Sequence, residues 1–476
     1  MEIHTYWFSK KAQYNQLSSP HVWLADTFTY FPLKTTQDLE NFIKRLEAVP
    51  AYFDNKIKSW NKGITKGYIA PRFGVELAIT QIEANIKALD AGVSPFNTHV
   101  AKITDPVYLK RAQDALSTHI AVSFKKMHDY LKNKYLPHTT TDHDGIWAQP
   151  NGVKSYKKLI SYFTTASLDP EVIHQIGFEE LKKCQTEMLA IASKLGFTGT
   201  LQEFFIHVRQ DPNNFFKTRD EVYEAAAASM ERAKSFLPKL FINMPPAQYE
   251  VRKIDPVMEQ SAAAGYAGAP DQNFTRPGYF YINTYLPETR ARYLMDSLSA
   301  HEGLPGHLLQ VSTALMLKDL PRFRASWGNT AYVEGWAHYS ELLMSEVGFY
   351  RDELSMFGMW SDQAWRAARL VVDTGIHHKK WSRAQALKFF MENTAIAQHN
   401  AQTEINRYAV SPGQALAYKI GQREFLRLRE LAKQELGSKF DIKQYHSVVL
   451  SEGGVPMSVL SEVVQKWINS LKQPKD

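Results

Sequence analysis

Apolar residues recur at intervals of three and four along most of the chain, a pattern that predicts a mainly helical protein. Residues 35–47 open with cap-type residues and put Leu39, Phe42, Ile43 and Leu46 on one face, and residues 71–91 and 106–133 read the same way. Asp169 is placed to cap a helix whose first position is Pro170 and whose apolar positions are 172, 173, 176, 181, 188 and 189. Asp220 opens an Ala-rich helix through Phe236, and Gln149-Pro150-Asn151-Gly152 reads as a turn. The character changes near 245. Residues 249–254 alternate like a strand, a loop rich in Ala, Gly and Pro covers 262–277, and residues 278–284 have strong β-propensity. Helical patterns resume at about Thr289, with turns at Pro321, at Ser411-Pro412-Gly413 and at Gly453-Gly454-Val455-Pro456. The expected architecture is mainly α, large and two-lobed. A helical lobe spans 1–245 and a second lobe 246–476, or the two form one continuous unit, with a small β element before the helix at about 300.

A chain of 476 residues exceeds the size at which one core stops growing, which supports two lobes. Apolar residues at 44% and charged residues at 22% are an ordinary globular balance. The formal charge of +7 is spread without a run of five or six basic residues, so a nucleic-acid partner is not expected. The lone Cys184 excludes an intrachain disulfide and argues against Cys-based metal or nucleophile chemistry; a buried, inert thiol is expected. No apolar stretch is long enough to span a membrane, and the opening Met-Glu-Ile-His-Thr-Tyr-Trp lacks the basic and apolar regions of a signal peptide. No P-loop, GxGxxG or Gly-x-Ser-x-Gly motif is present.

The chemistry concentrates elsewhere. Residues 301–307 read His-Glu-Gly-Leu-Pro-Gly-His, and Glu334 follows 27 residues after His307, in Glu-Gly-Trp-Ala-His-Tyr. Two imidazoles and a carboxylate are the ligand set of a catalytic zinc ion, and Glu302 beside the first imidazole supplies a general base. On an unbroken helix, His301 and His307 would stand about 240° apart and could not share an ion. Pro305 and Gly306 lie between them, so a distorted turn is expected to bring His307 back beside His301. Glu334, His338 and Glu341 share one face of the next long helix. Glu334 is assigned to the metal and Glu341 to a supporting role, while His338 remains an alternative to His307 as ligand. His377, His378 and His446 are further candidates, read first as structural, as is an Asp373–His377 pair at i, i+4.

Taken together, His301–His307, Glu334–Tyr339, Asp373–His377 and Arg407–Gly421 resemble the bacterial family filed as domain of unknown function 885, a group of expected zinc hydrolases often described as lipoproteins. Residues 147–177 and 440–456 extend the resemblance over nearly the whole chain. It implies a helical fold of the zinc-metallopeptidase clan, similar to oligopeptidases of M3 type. It also implies zinc on His301, His307 and Glu334, with Glu302 as base. Two departures stand out: an apolar residue is usual where His338 stands, and a further N-terminal region, often behind a lipoprotein signal, usually precedes the part matched here. The chain is then a fragment or a shortened member, and the resemblance suggests a bacterial cell-envelope protein if the N-terminus is truncated; the compartment itself stays open.

The activity expected is zinc-dependent hydrolysis of peptide bonds in short peptides. Tyr418 and Arg407 are candidate donors to the developing oxyanion or to a substrate carboxylate. Residues 279–284 could form an edge strand to which an extended peptide adds. The alternatives are a zinc amidase acting on non-peptide amides and a non-catalytic metal-binding helical protein; the neighbouring carboxylate of Glu302 argues against the latter. The motifs leave the oligomeric state open.

Overall fold

The computed structural model describes residues 13–139, 143–256, 259, 262–318, 320 and 328–472, so the turn expected at Pro321 lies outside the described residues. The chain divides into two compact units. Unit 1 comprises Met1–Tyr156, Ile376–Arg383 and Ala409–Ser411; unit 2 comprises Lys157–Gly375, Ala384–Tyr408 and Pro412–Asp476. The change of sequence character near 245 falls inside unit 2, where the sheet begins.

Unit 1 is built from α1 (Pro20–Thr29), α2 (Thr36–Thr65), α3 (Arg72–Asp90), α4 (Pro95–Val100), α5 (Pro106–Ala115) and α6 (Val122–Tyr130). Thr35 caps α2 through a reciprocal pair with Asp38, which satisfies two backbone N–H groups that a helix start leaves open. The face read from the sequence is the buried one: Leu39, Phe42, Ile43 and Leu46 join Trp60, Ile120, Phe124 and Tyr135 in one core. The helix expected over 106–133 carries π turns at Leu116–Ala121 and Leu131–Tyr135, extra-residue insertions that a periodicity count does not register.

The helix α7 (Gly152–Thr164) leads into unit 2, which contains α8 (Pro170–Lys194), α9 (Leu201–Gln210) and α10 (Arg219–Leu240). Asp169 caps α8 by accepting from the Glu171 N–H; Ile173, Leu181 and Met188 are buried, while Val172 and Leu189 are exposed. Cys184 is buried on the same helix, and burial pushes its thiol up to about 11. The start of α10 is capped by Thr218, earlier than the Asp220 expected, because its hydroxyl accepts from the Glu221 N–H.

Three strands follow: β1 (Tyr249–Lys253), β2 (Gly265–Gly268) and β3 (Gly278–Ile282), in the order β1-β3-β2, with β1 parallel and β2 antiparallel to β3. This corrects two expectations. The stretch 262–277 is not all loop, and the strand after it is the centre of the sheet, not its edge. Asn283 accounts for both: its N–H bonds the Ala264 carbonyl, and its side-chain amide donates to the carbonyls of Glu259, Ala262 and Ala263, which holds the preceding segment alongside β3.

The remaining elements are α11 (Met295–Leu298), α12 (His307–Met316), α13 (Thr330–Glu346), α14 (Glu353–His377), α15 (Arg383–Asn393), α16 (Gln398–Val410), α17 (Ala417–Leu436), α18 (Ile442–Val449) and α19 (Met457–Lys472). The fold is mainly α, with one small sheet among the described residues. None of the described helices is long and apolar enough to cross a membrane.

Candidate metal centre

The helix α11 runs directly into a π turn, Ser299–Gly303, which carries His301 and Glu302. A cis Leu304–Pro305 bond and Gly306 follow, and α12 starts afresh at His307. A Cβ on residue 306 would lie 1.9 Å from the His301 carbonyl oxygen, so only glycine lets the chain turn this closely. The indole of Trp336 donates to the Pro305 carbonyl at 3.0 Å and ties the turn to α13. The outcome is the one the Pro-Gly insertion predicts: the two rings stand 4.9 Å apart, nearly perpendicular at 87°.

Glu334 reaches the same point from α13. That helix lies almost in backbone contact with α17, where Gly335 meets Gly421: a Cβ on Gly335 would fall 2.6 Å from the Gly421 Cα. Glu334 Oε2 is 3.7 Å from His301 Nε2 and 3.5 Å from His307 Nε2. One ligand atom from each residue lies within 4.8 Å of the others, so the three could hold one metal ion. Two imidazoles and a carboxylate in this arrangement fit an ion that keeps an open position for water or substrate.

His301 is buried, whereas His307, Glu334 and Glu302 are only partly covered, so the centre has a solvent-facing side. Burial opposes a charged His301, but the carboxylates of Glu334 and Glu341 outweigh it and raise the ring to about 9. Burial would raise Glu334, but the two imidazoles hold it far below the usual carboxylate range. Glu302 moves the other way: burial raises its carboxyl, and the nearby histidines offset this only in part.

Glu341 sits behind the centre. Its Oε1 takes a 2.6 Å hydrogen bond from His301 Nδ1, and its Oε2 lies 3.0 Å from both His338 Nδ1 and Gln363 Nε2. Arg366 is 3.6 Å from Oε1. Burial opposes the Glu341 charge, yet His338, Arg366 and His301 hold its carboxyl well below the usual range. His338, the alternative to His307 as ligand, turns its Nδ1 to Glu341, on the far side of His301 from Glu334, while His307 stands with His301 and Glu334.

Tyr418, on α17, has its ring 6.4 Å from the His301 ring and nearly parallel to it, and the Arg369 guanidinium lies over it at 4.3 Å. Burial and the Glu334 charge raise the Tyr418 phenol, which keeps its proton. Arg407 is engaged already: it pairs with Glu404 at 2.7 Å and donates to the Gln414 side chain. Glu404 also accepts from Arg369 and Tyr408, and the Arg407 and Arg369 cations outweigh burial to hold it at about 2. Of the two expected donors, only Tyr418 thus has its ring against the metal residues.

His446, Asp373 and His377 are engaged with the backbone. His446 donates at Nδ1 to the Leu240 carbonyl, which leaves Nε2 to accept from the Tyr339 hydroxyl. Asp373 accepts from the Gly413 N–H, where the backbone takes a positive φ. In unit 1, His377 Nδ1 accepts from the Ile146 N–H. Of the polar residues behind the centre, Lys419 falls inside the Arg407–Gly421 motif but has no role marked there, and Gln363, Arg366 and Gln422 lie outside the motifs, in an ordinary amphipathic pattern.

The chain belongs to the family described as "Bacterial protein of unknown function (DUF885)", whose model matches residues 5–464. Among solved structures it is similar to "the putative lipoprotein from Colwellia psychrerythraea", at 28% identity and a TM-score of 0.90, covering 96% of this chain and 80% of that one. It also shares the fold of "a putative lipoprotein of unknown function from Shewanella oneidensis", at 20% identity and a TM-score of 0.72, covering 96% of this chain and 83% of that one. No curated protein matches the chain.

Proposed function

We propose that this member of the family is a metal-dependent hydrolase that cleaves peptide bonds, with short peptides as substrates and zinc as the ion. The observation that carries the reading is the convergence of His301, His307 and Glu334 within 4.8 Å, with the partly covered carboxylate of Glu302 on the same turn as His301. Metal ligation alone gives no reason for that second carboxylate. Two nitrogens and one oxygen suit zinc over harder ions, which prefer oxygen ligands throughout. Bound there, zinc would polarise a substrate carbonyl and lower the pKa of a water.

The chain's own residues supply the rest. Glu302 takes the proton of the attacking water and hands it to the leaving nitrogen. Tyr418 keeps its phenol proton and donates it toward the oxyanion that develops on the carbonyl. Glu341 fixes the orientation of His301 from behind. Arg407, neutralised by Glu404, tunes the field around Tyr418 and leaves the substrate to other groups. A bacterial cell-envelope location is part of the proposal, supported by the lipoprotein descriptions of the similar structures.

The test is metal analysis of the purified chain, combined with hydrolysis of a mixed peptide library with and without chelator. One zinc per chain and chelator-sensitive cleavage are expected. A metal-free protein, or cleavage indifferent to chelator, overturns the reading; a zinc protein that cleaves only non-peptide amides reassigns the substrate.

A further inference from the structure

Behind the metal residues lies a buried polar chain that begins at an unusual point. Lys419 is 2% exposed, yet its hydrogen bonds run to two neutral acceptors: Gln363 Oε1 at 2.9 Å and Gln422 Oε1 at 2.7 Å. Burying an ammonium on amide carbonyls is costly, and a packed apolar side chain would avoid that cost. What an ammonium offers that no apolar or amide group does is a fixed polarity: it only donates.

That polarity propagates. With its oxygen turned to Lys419, Gln363 must present its NH2 group on the other side, where Nε2 donates to Glu341 Oε2 at 3.0 Å. Gln422 is set in the same way: its NH2 donates to Gln363 Oε1 and to the His338 carbonyl, both at 2.8 Å. Glu341 is thus held as a pure acceptor, with Oε2 occupied from below and Oε1 aimed at His301 Nδ1, 2.6 Å away. A proton on His301 Nδ1 leaves its Nε2 lone pair for the side on which Glu334 and His307 stand. Were Gln363 flipped, its carbonyl would face the Glu341 carboxylate and both orientations would be lost.

We infer that Lys419 is a remote positioning residue for the metal centre, setting the hydrogen-bond direction of the chain Lys419–Gln363–Glu341–His301 and thereby the nitrogen that His301 offers to the ion. The inference rests on the proposed metal site and adds residues to it that touch neither metal nor substrate.

The test measures zinc affinity by chelator competition, and the visible spectrum of the cobalt-loaded protein, for the wild type, Lys419→Met, Gln363→Leu and the double variant. Each single change is expected to weaken zinc binding about 10- to 100-fold, as loss of a ligand's outer partner does, and to shift the cobalt bands. Because Lys419 acts through Gln363, the double variant should be no weaker than Gln363→Leu alone. Gln363→Glu covers the case in which Lys419→Met does not fold: it keeps the size and pairs with Lys419, but turns an acceptor toward Glu341, and should also weaken zinc. Affinity within twofold of wild type in folded Lys419→Met or Gln363→Glu, or losses that multiply in the double variant, would overturn the inference and leave the metal site standing. A wild-type chain that binds no zinc would overturn both.

Discussion

In the proposed reaction, Glu302 is the residue on which hydrolysis turns. A carboxyl raised by burial accepts a proton more readily than a solvated one, and its partial exposure leaves room for water. Glu302→Gln should therefore keep one zinc per chain while turnover falls about 10²- to 10⁴-fold, the range of general-base contributions; metal analysis beside the peptide assay checks both halves. His307→Ala should lose the ion, and His338→Ala should retain it, since His338 faces Glu341. A zinc-free His338→Ala protein would restore the reading the geometry displaces. Histidines also set the response to acid. Burial lowers His446 to about 3 and His21 to about 4, both below the ordinary 6.5 of an unfolded chain. Between these values the unfolded chain binds protons that the folded one refuses. The stability that these two rings contribute is complete above pH 6.5 and drains as pH falls through that window, at roughly 1.4 kcal/mol per pH unit per group, whereas the raised His301 contributes stability that is complete below pH 6.5 and lost as pH rises toward 9. Urea midpoints at pH 8 and pH 5 test this, and His446→Gln should show the smaller drop. At this scale the candidate ligands were legible because their chemistry is local in sequence. Lys419, Gln363 and Gln422 were not, because what joins them is the packing of α14 against α13 and α17.

Elements carry the ligands to one point through two close approaches, each held open by glycine. At the first, Gly306 lets α12 restart beside the π turn, and an added Cβ would sit 1.9 Å from a backbone oxygen that cannot yield. At the second, Gly421 and Gly335 let α17 and α13 touch; a Cβ on Gly421 would meet the Ala331 carbonyl at 2.0 Å. Gly421→Ala should thus push the helices apart and carry Glu334 away from the histidines, at a cost of about 1–3 kcal/mol for overpacking. Weaker zinc binding together with a lower urea midpoint is the expected result. A variant with lower stability but unchanged zinc affinity would mean that α13 holds Glu334 in place without this contact. The Pro-Gly break could be read in advance because it contradicts the helical pattern around it. The strand β2 could not: Gly-Tyr-Ala-Gly has little β-propensity of its own, and its segment is held by the side chain of Asn283, some twenty residues away.

Each of the two units has a core of its own. Tyr14, Phe42, Trp60 and Tyr135 belong to the core of unit 1, whereas Phe204, Tyr293 and Phe357 belong to a core within unit 2. Helical periodicity gave the mainly α class, but not this division, because unit 1 recruits residues 376–383 and 409–411 from far along the chain. All three candidate metal ligands, Glu302 and the chain behind them belong to unit 2. An ion bound there stabilises by mass action only the unit that loses the site on unfolding, about 2.7 kcal/mol at a hundred times its dissociation constant. For a unit of this size that amounts to roughly 4 °C. Calorimetry with and without chelator should therefore resolve two transitions, of which metal removal lowers one by about that amount and leaves the other in place. Limited proteolysis at a temperature between the two should cut the chelated protein first within unit 2. A single transition that shifts as a whole would mean that the units unfold as one, with the metal stabilising the entire chain.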